Sequence, residues 1–159
     1  MTDRSAGFAE AAGRAFHEAH QHAEATGLRV IEAEHLLLAI VSGADSDGGR
    51  MLAAAGLDRA GLEGALREER RRSLATAGVE PPSDEALRST RRRAAIMVGA
   101  SVKQALHRGR SAGPRLGRPR RSGDLLIGIL SAELGTVPRA LAIAGVDREA
   151  LVARLEAAA

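Results

Sequence analysis

The chain has 159 residues, 45% hydrophobic and 27% charged, which suits one domain of ordinary size with a real core. Cysteine is absent, excluding a disulfide framework and thiolate metal sites, and with Phe8 and Phe16 as the only aromatic residues the interior must be built from Ala, Leu, Ile and Val. A formal charge of +3 describes a nearly balanced chain with local basic patches at Arg70 to Arg72, Arg91 to Arg93, and Arg115, Arg118, Arg120 and Arg121.

Phe8 to Ala25 is a proline-free run of good helix formers, and Thr26-Gly27 supplies a left-handed stop. After a short link, Glu32 to Val41 has acidic residues in its first turn and an apolar body, as a core-facing helix should. Ser42 to Gly48 reads as a loop. Arg50 to Ala55 predicts a short helix closed by Gly56, and Asp58 can cap a further helix with Leu62 and Leu66 on one face. Residues 77–83, with Pro81-Pro82, read as a linker. Beyond it, Ser83 or Asp84 can cap a long helix through Leu106 that ends at Gly109, a counterpart of the first helix. Arg110 to Arg121, rich in Gly, Pro and Arg without apolar periodicity, reads as a mobile basic loop. Asp124 to Leu130 is the sixth predicted helix, Pro138 suits the first turn of the seventh, and Asp147 caps the last, which runs towards Ala159.

The two halves repeat. His35-Leu36-Leu37-Leu38 falls on Asp124-Leu125-Leu126-Ile127, an offset of 89 (124 minus 35). The same offset places Ser42 on Ser131, Leu52 on Leu141, Gly56 on Gly145, Asp58-Arg59 on Asp147-Arg148, Leu62 on Leu151 and Leu66 on Leu155. Earlier in each half, Ala23 falls on Ala105 and Gly27 on Gly109, an offset of 82 (109 minus 27), with an insertion in the basic loop making up the difference. Repeat one thus spans about 5–76, and repeat two about 84–159 with the basic loop at 110–121.

Glu34-His35-Leu36-Leu37-Leu38-Ala39-Ile40 resembles the Thr-Glu-His-(Ile/Leu)-Leu-Leu-Gly-Leu segment of the Clp N-terminal (Clp repeat) domain, found in AAA+ unfoldases of the ClpC type. Phe8 stands at that family's distance before it, and Leu52 to Leu57 and Leu141 to Val146 resemble its Leu-x-x-Leu-Gly-(Ile/Val) turn. The resemblance covers about residues 5–158. It implies an all-α fold: a tandem repeat of two four-helix units in a pseudo-twofold eight-helix bundle, a single domain that receives substrates or adaptors. The expected partners are proteins, namely Clp clients, adaptors or a Clp ATPase. The chain has no G-x-x-x-x-G-K-(S/T) phosphate loop and its only lysine is Lys103, so ATP-driven unfolding is excluded for this polypeptide.

In the ClpC-type domains the glutamate of the Thr-Glu-His segment helps hold phosphorylated arginine, and Glu34 matches it, which the resemblance makes a ligand-binding residue. A carboxylate suits a guanidinium in bidentate fashion. Departures from the pattern are Ala9 for the threonine after the opening phenylalanine, Ser122-Gly123-Asp124 for Thr-Glu-His in repeat two, and Thr90 where a second opening phenylalanine is expected. With Ser5 and Thr90 at positions of ligand-contacting phenylalanines, cyclic-peptide ligands of the family should bind only weakly.

His17-Glu18-Ala19-His20 is one residue short of the H-E-x-x-H zinc motif and has no third ligand of clear spacing, so no metal and no cofactor is expected. The arginine clusters offer the alternative of a basic nucleic-acid-associated regulator, against which stand the interspersed Glu68, Glu69, Glu80, Asp84 and Glu85 and the lack of aromatics to stack on bases. No cysteine nucleophile, nucleophile elbow or spaced carboxylate pair is present, so catalysis is not expected. Without a secretory leader or an apolar run of about 20 residues, the expectation is a cytoplasmic protein with no membrane partner.

Overall fold

The computed structural model describes residues 4–43, 46–79 and 95–158. Eight helices are found among them: α1 (Arg4–Thr26), α2 (Ala33–Ser42), α3 (Asp47–Ala54), α4 (Arg59–Thr76), α5 (Ala100–Arg115), α6 (Gly123–Leu130), α7 (Thr136–Ile143) and α8 (Arg148–Ala157). Among the described residues the only other elements are the two-residue strands β1 (Val30–Ile31) and β2 (Met97–Val98), which pair in parallel. The fold is the all-α tandem bundle expected.

The later part of each half follows the offset of 89 in physical detail. Gly56 and Gly145 both take positive φ, 78° and 71°, ending α3 and α7. Asp58 accepts from the Gly61 amide at 2.7 Å and Asp147 from the Ala150 amide at 2.9 Å, each satisfying an amide that its helix leaves without an internal partner. The arginine after each cap turns back to the end of its repeat's second helix. Arg59 donates to the Ser42 hydroxyl at 2.6 Å, and Arg148 to the carbonyls of Leu130 and Ala132 at 2.7 and 3.0 Å. Leu36, Leu37, Leu52 and Leu62 and their counterparts Leu125, Leu126, Leu141 and Leu151 are all buried to within 1% exposure, so one duplicated leucine set makes the core.

The third helix starts earlier than predicted. Ser46 caps it by accepting from the Gly49 amide at 2.9 Å, so Asp47 and Gly48, expected in a loop, are helical together with Gly49. Gly49 lies against the Gly43 carbonyl, 2.2 Å from where its Cβ would stand, a closeness that only glycine allows.

The larger departure is in repeat two. The helix expected to run through Leu106 is interrupted, because residues 95–99 are extended and α5 begins at Ala100; its proposed caps, Ser83 and Asp84, and the Pro81-Pro82 break lie outside the described residues. Gly109 does not end the helix, which continues to Arg115, so the basic loop of 110–121 reduces to the residues after Arg115. The helix stop is Gly117, with φ +66° where Gly27 has +74°. The amide of Leu28 bonds the Ala23 carbonyl at 2.9 Å, and that of Arg118 bonds the Gly113 carbonyl at 3.0 Å, the same six-to-one closure. The first helices therefore correspond at an offset of 90 (117 minus 27), which places Ala15, Ala19 and Ala23 on Ala105, Gly109 and Gly113, all buried. Phe8 then corresponds to Val98 rather than Thr90, which itself lies outside the described residues.

Pro114 made this helix hard to see in the sequence. A proline in the last turn cannot donate to the carbonyl four residues back, that of Arg110. The Arg120 Nε–H bonds that carbonyl instead, at 2.8 Å, and Gly113 lets residues 118–120 lie directly on the helix, 3.0 Å from its absent Cβ.

The halves are joined through β1 and β2. The Met97 amide donates to the Arg29 carbonyl at 2.8 Å and the Gly99 amide to that of Ile31 at 2.9 Å. Glu32, the N-cap residue of α2, accepts from the Ser101 hydroxyl, and the same Ser101 oxygen accepts from the Ala33 amide at 2.8 Å. The starts of α2 and α5 thus satisfy each other.

Candidate functional site

Glu34 lies in the first turn of α2, half-buried, on the wall of a groove of about 600 Å³ between α2, α4 and α7. His22, Leu28, His35 and Leu38 line it beside Glu34. From α4 come Glu63, Leu66, Arg67, Glu69 and Arg70, at the three- and four-residue spacing of one helical face. Thr136 and Arg139 close it from α7 of repeat two. The α4 contribution was legible as a periodic stripe but was missed. Nothing local announced Arg139.

The groove sets cations beside carboxylates. Burial is the main force raising the Glu34 carboxyl above the usual 4.5, with the charges of Glu32 and Glu69 adding to it and Arg70 opposing. Glu69 is 5% exposed and is held by Arg139 Nε at 2.7 Å and by the Ser73 hydroxyl at 2.6 Å. This ion pair links repeat one to repeat two beneath the groove. Glu68, outside it, is held down to about 2 by hydrogen bonds from Arg71 and Arg72.

His35 plays a structural part. Its Nδ1 accepts from the Glu32 amide at 2.9 Å, which puts the proton of the neutral ring on Nε2. Burial, helped by the neighbouring His22, lowers its pKa below the usual 6.5. A lowered folded value means that the neutral ring favours folding above pH 6.5 and that this contribution is lost as pH falls through the folded pKa. NMR titration should show the His35 ring protonating below 6.5, with thermal stability declining over that interval less in His35→Asn than in the parent.

Asp124 occupies the His35 position in repeat two and repeats its local bond, its Oδ2 accepting from the Arg121 amide at 2.9 Å. It is fully buried and paired with both Nη groups of Arg118, at 2.7 and 3.1 Å. Gly123, at the Glu34 position, starts α6 with no carboxylate to offer. Ala9 lies on α1 and does not line the groove.

The other candidate residues are dispersed. His17 shares a hydrogen bond with Gln21 at 3.0 Å and His20 faces Glu24 at 3.9 Å, both on the exposed side of α1. Arg115 bonds Glu156 at 2.6 Å, Arg118 is buried on Asp124, and Arg121 donates to the Ala158 carbonyl at 3.1 Å. The basic cluster of the sequence is therefore largely consumed inside the molecule. Arg91 to Arg93 lie outside the described residues. No described helix is long and apolar enough to cross a membrane.

A duplicated four-helix unit carrying a surface groove between its halves defines an all-helical tandem-repeat domain. Residues 7–113 match the Clp repeat (R) N-terminal domain family, and the chain belongs to that family. Among solved structures it is similar to the N-terminal domain of the caseinolytic protease associated chaperone ClpD from Arabidopsis thaliana, with 16% identity over 98% of this chain and 94% of that one, at a TM-score of 0.63. It is also similar to a structure described under preliminary structural investigations of a malarial protein secretion system, with 21% identity over 92% of this chain and 90% of that one, at a TM-score of 0.60. At these identities the likeness concerns the fold. No curated protein matches the chain significantly.

Proposed function

We propose that this chain is a non-enzymatic receptor that captures client or adaptor proteins of a Clp system in the groove around Glu34, as adaptor, decoy or sequestering protein, and that phosphorylated arginine is the side chain it prefers. The observation behind the reading is a half-buried carboxylate, raised by burial, sharing one groove with Arg67 and Arg70. A guanidinium entering the groove restores to Glu34 the ionic partner that burial makes valuable, and the two arginines offer cations for the phosphate. Repeat two, with Gly123 in place of the carboxylate, has no equivalent anchor, so one ligand per chain is expected.

Isothermal titration with arginine-phosphorylated and unmodified forms of the same protein tests this. Binding of the phosphorylated form alone, lost in Glu34→Gln, is the expected result. Equal binding of both forms, or full retention in Glu34→Gln, overturns the phosphoarginine reading. The same variant carries a stability prediction. Because the folded pKa of Glu34 is raised, its favourable contribution is complete below 4.5 and is lost as pH rises through the folded value. Glu34→Gln should therefore melt higher than the parent at neutral pH, with the gain vanishing below pH 4.5.

A further inference from the structure

We propose that the outer face of α5 is a second docking surface, for an acidic peptide segment carrying Asp or Glu residues interspersed with an apolar side chain. A groove of about 550 Å³ lies on this face, its lining including Lys103, Leu106, His107, Arg110, Pro114 and Arg120. Every ionisable residue in its lining is basic. Lys103, His107 and Arg110 are exposed and recur at the four- and three-residue spacing that aligns side chains on one face of a helix. Among the described residues none of them, nor Arg120, pairs with a carboxylate, so the basic charge of this face is not neutralised within the fold.

The fourth cation is positioned by the fold. Arg120 enters the groove because Gly113 admits the chain at residues 118–120 against the helix, and its Nε is fixed on the Arg110 carbonyl vacated by Pro114. One edge of the guanidinium is thereby anchored and its Nη groups remain to meet a carboxylate in bidentate fashion. Lys103 and Arg110 stand about 10 Å apart along the axis at 1.5 Å per residue, and acidic residues three apart in an extended peptide cover the same span. Leu106 and Pro114 supply apolar contact between the charges. That mixed lining, a short groove and the absence of Phe, Tyr and Trp side chains favour a peptide over a nucleic acid strand. This surface shares no residue with the Glu34 groove and does not depend on its function.

Fluorescence anisotropy with a labelled peptide of alternating Glu-Asp pairs and leucines tests the assignment, with its Gln-Asn counterpart and an oligothymidylate as comparison probes. The acidic peptide should bind, more weakly as salt rises, and the double variant Lys103→Ser with Arg110→Ser should weaken it by about tenfold or more, as expected for losing two charge contacts. Both positions are exposed, so circular dichroism should be unchanged, and Glu34→Gln should leave this binding intact. Absence of binding, equal binding of the neutral peptide, tighter binding of the oligothymidylate, or indifference to the double variant would each overturn the proposal.

Discussion

Replacing Gly128 by alanine will destabilise the fold by about 3 kcal/mol or more, the upper end of what overpacking a core costs. A Cβ at this position would stand 2.1 Å from the Ala105 carbonyl oxygen and 2.5 Å from the Gly109 amide nitrogen. Those atoms are backbone in the middle of α5, so no rotamer change can make room; α5 and α6 must separate. The crossing is tight from both sides, since a Cβ on Gly109 would lie 2.6 Å from the Asp124 carbonyl oxygen. Repeat one has Ala19 and Ala39 at the corresponding positions, so its helices cross with a methyl group on each side. Chemical denaturation should report the loss. Gly64→Ala in α4 is the control, because nothing lies within 4 Å of its Cβ. That substitution should stabilise by about 0.5–1 kcal/mol through helix propensity alone. A neutral Gly128→Ala would show that α5 and α6 do not cross as described.

The second large effect is expected at Asp124. Asp124→Ala removes the partner of Arg118, which is itself only 12% exposed at the side chain, and leaves a guanidinium in the interior without a counter-charge. Breaking a buried pair from one side costs about 3–5 kcal/mol, most of it the desolvation of the charge left behind. Arg118→Met alone strands Asp124 in the same way, although the carboxylate keeps the Arg121 amide. The double variant Asp124→Ala with Arg118→Met should recover much of the loss, because neither charge is then buried unpaired. Additive losses in the cycle would mean that the two side chains do not share the interaction seen here. The pair also explains why residues after Gly117 are ordered against the bundle: Arg118 anchors that stretch to the start of α6.

These two sites mark the limit of what could be read from the residues alone. The duplicated leucine set, the glycine stops at Gly56 and Gly145, and the Asp58 and Asp147 caps were legible because each acts through neighbours a few positions away. Local spacing encodes such features. The register of the first helices was not legible in this way. Gly27 and Gly109 look alike in sequence, yet one ends a helix with positive φ and the other lies within one, admitting a neighbouring backbone. Only the position of α6 distinguishes them. In the same way Pro114 predicts a break, and α5 continues through it because an arginine six residues later takes over the orphaned carbonyl.

The binding surfaces divide along the same line. The sequence by itself determined an all-helical duplicated bundle with Leu, Ile and Ala inside, and its resemblance to the Clp repeat domain singled out Glu34 among the acidic residues of a helix's first turn. It also grouped the arginines after residue 110 as one basic cluster. Tertiary structure decided that Arg118 is a buried counter-ion, that Arg115 and Arg121 are tied to the end of the chain, and that Arg120 joins Lys103, His107 and Arg110 along one face. It likewise brought Arg139 of the second half to Glu69 beneath the Glu34 groove. Helix formation and capping are settled by interactions within a few residues, whereas the fate of a charge depends on which distant group reaches it and on how much water remains between them.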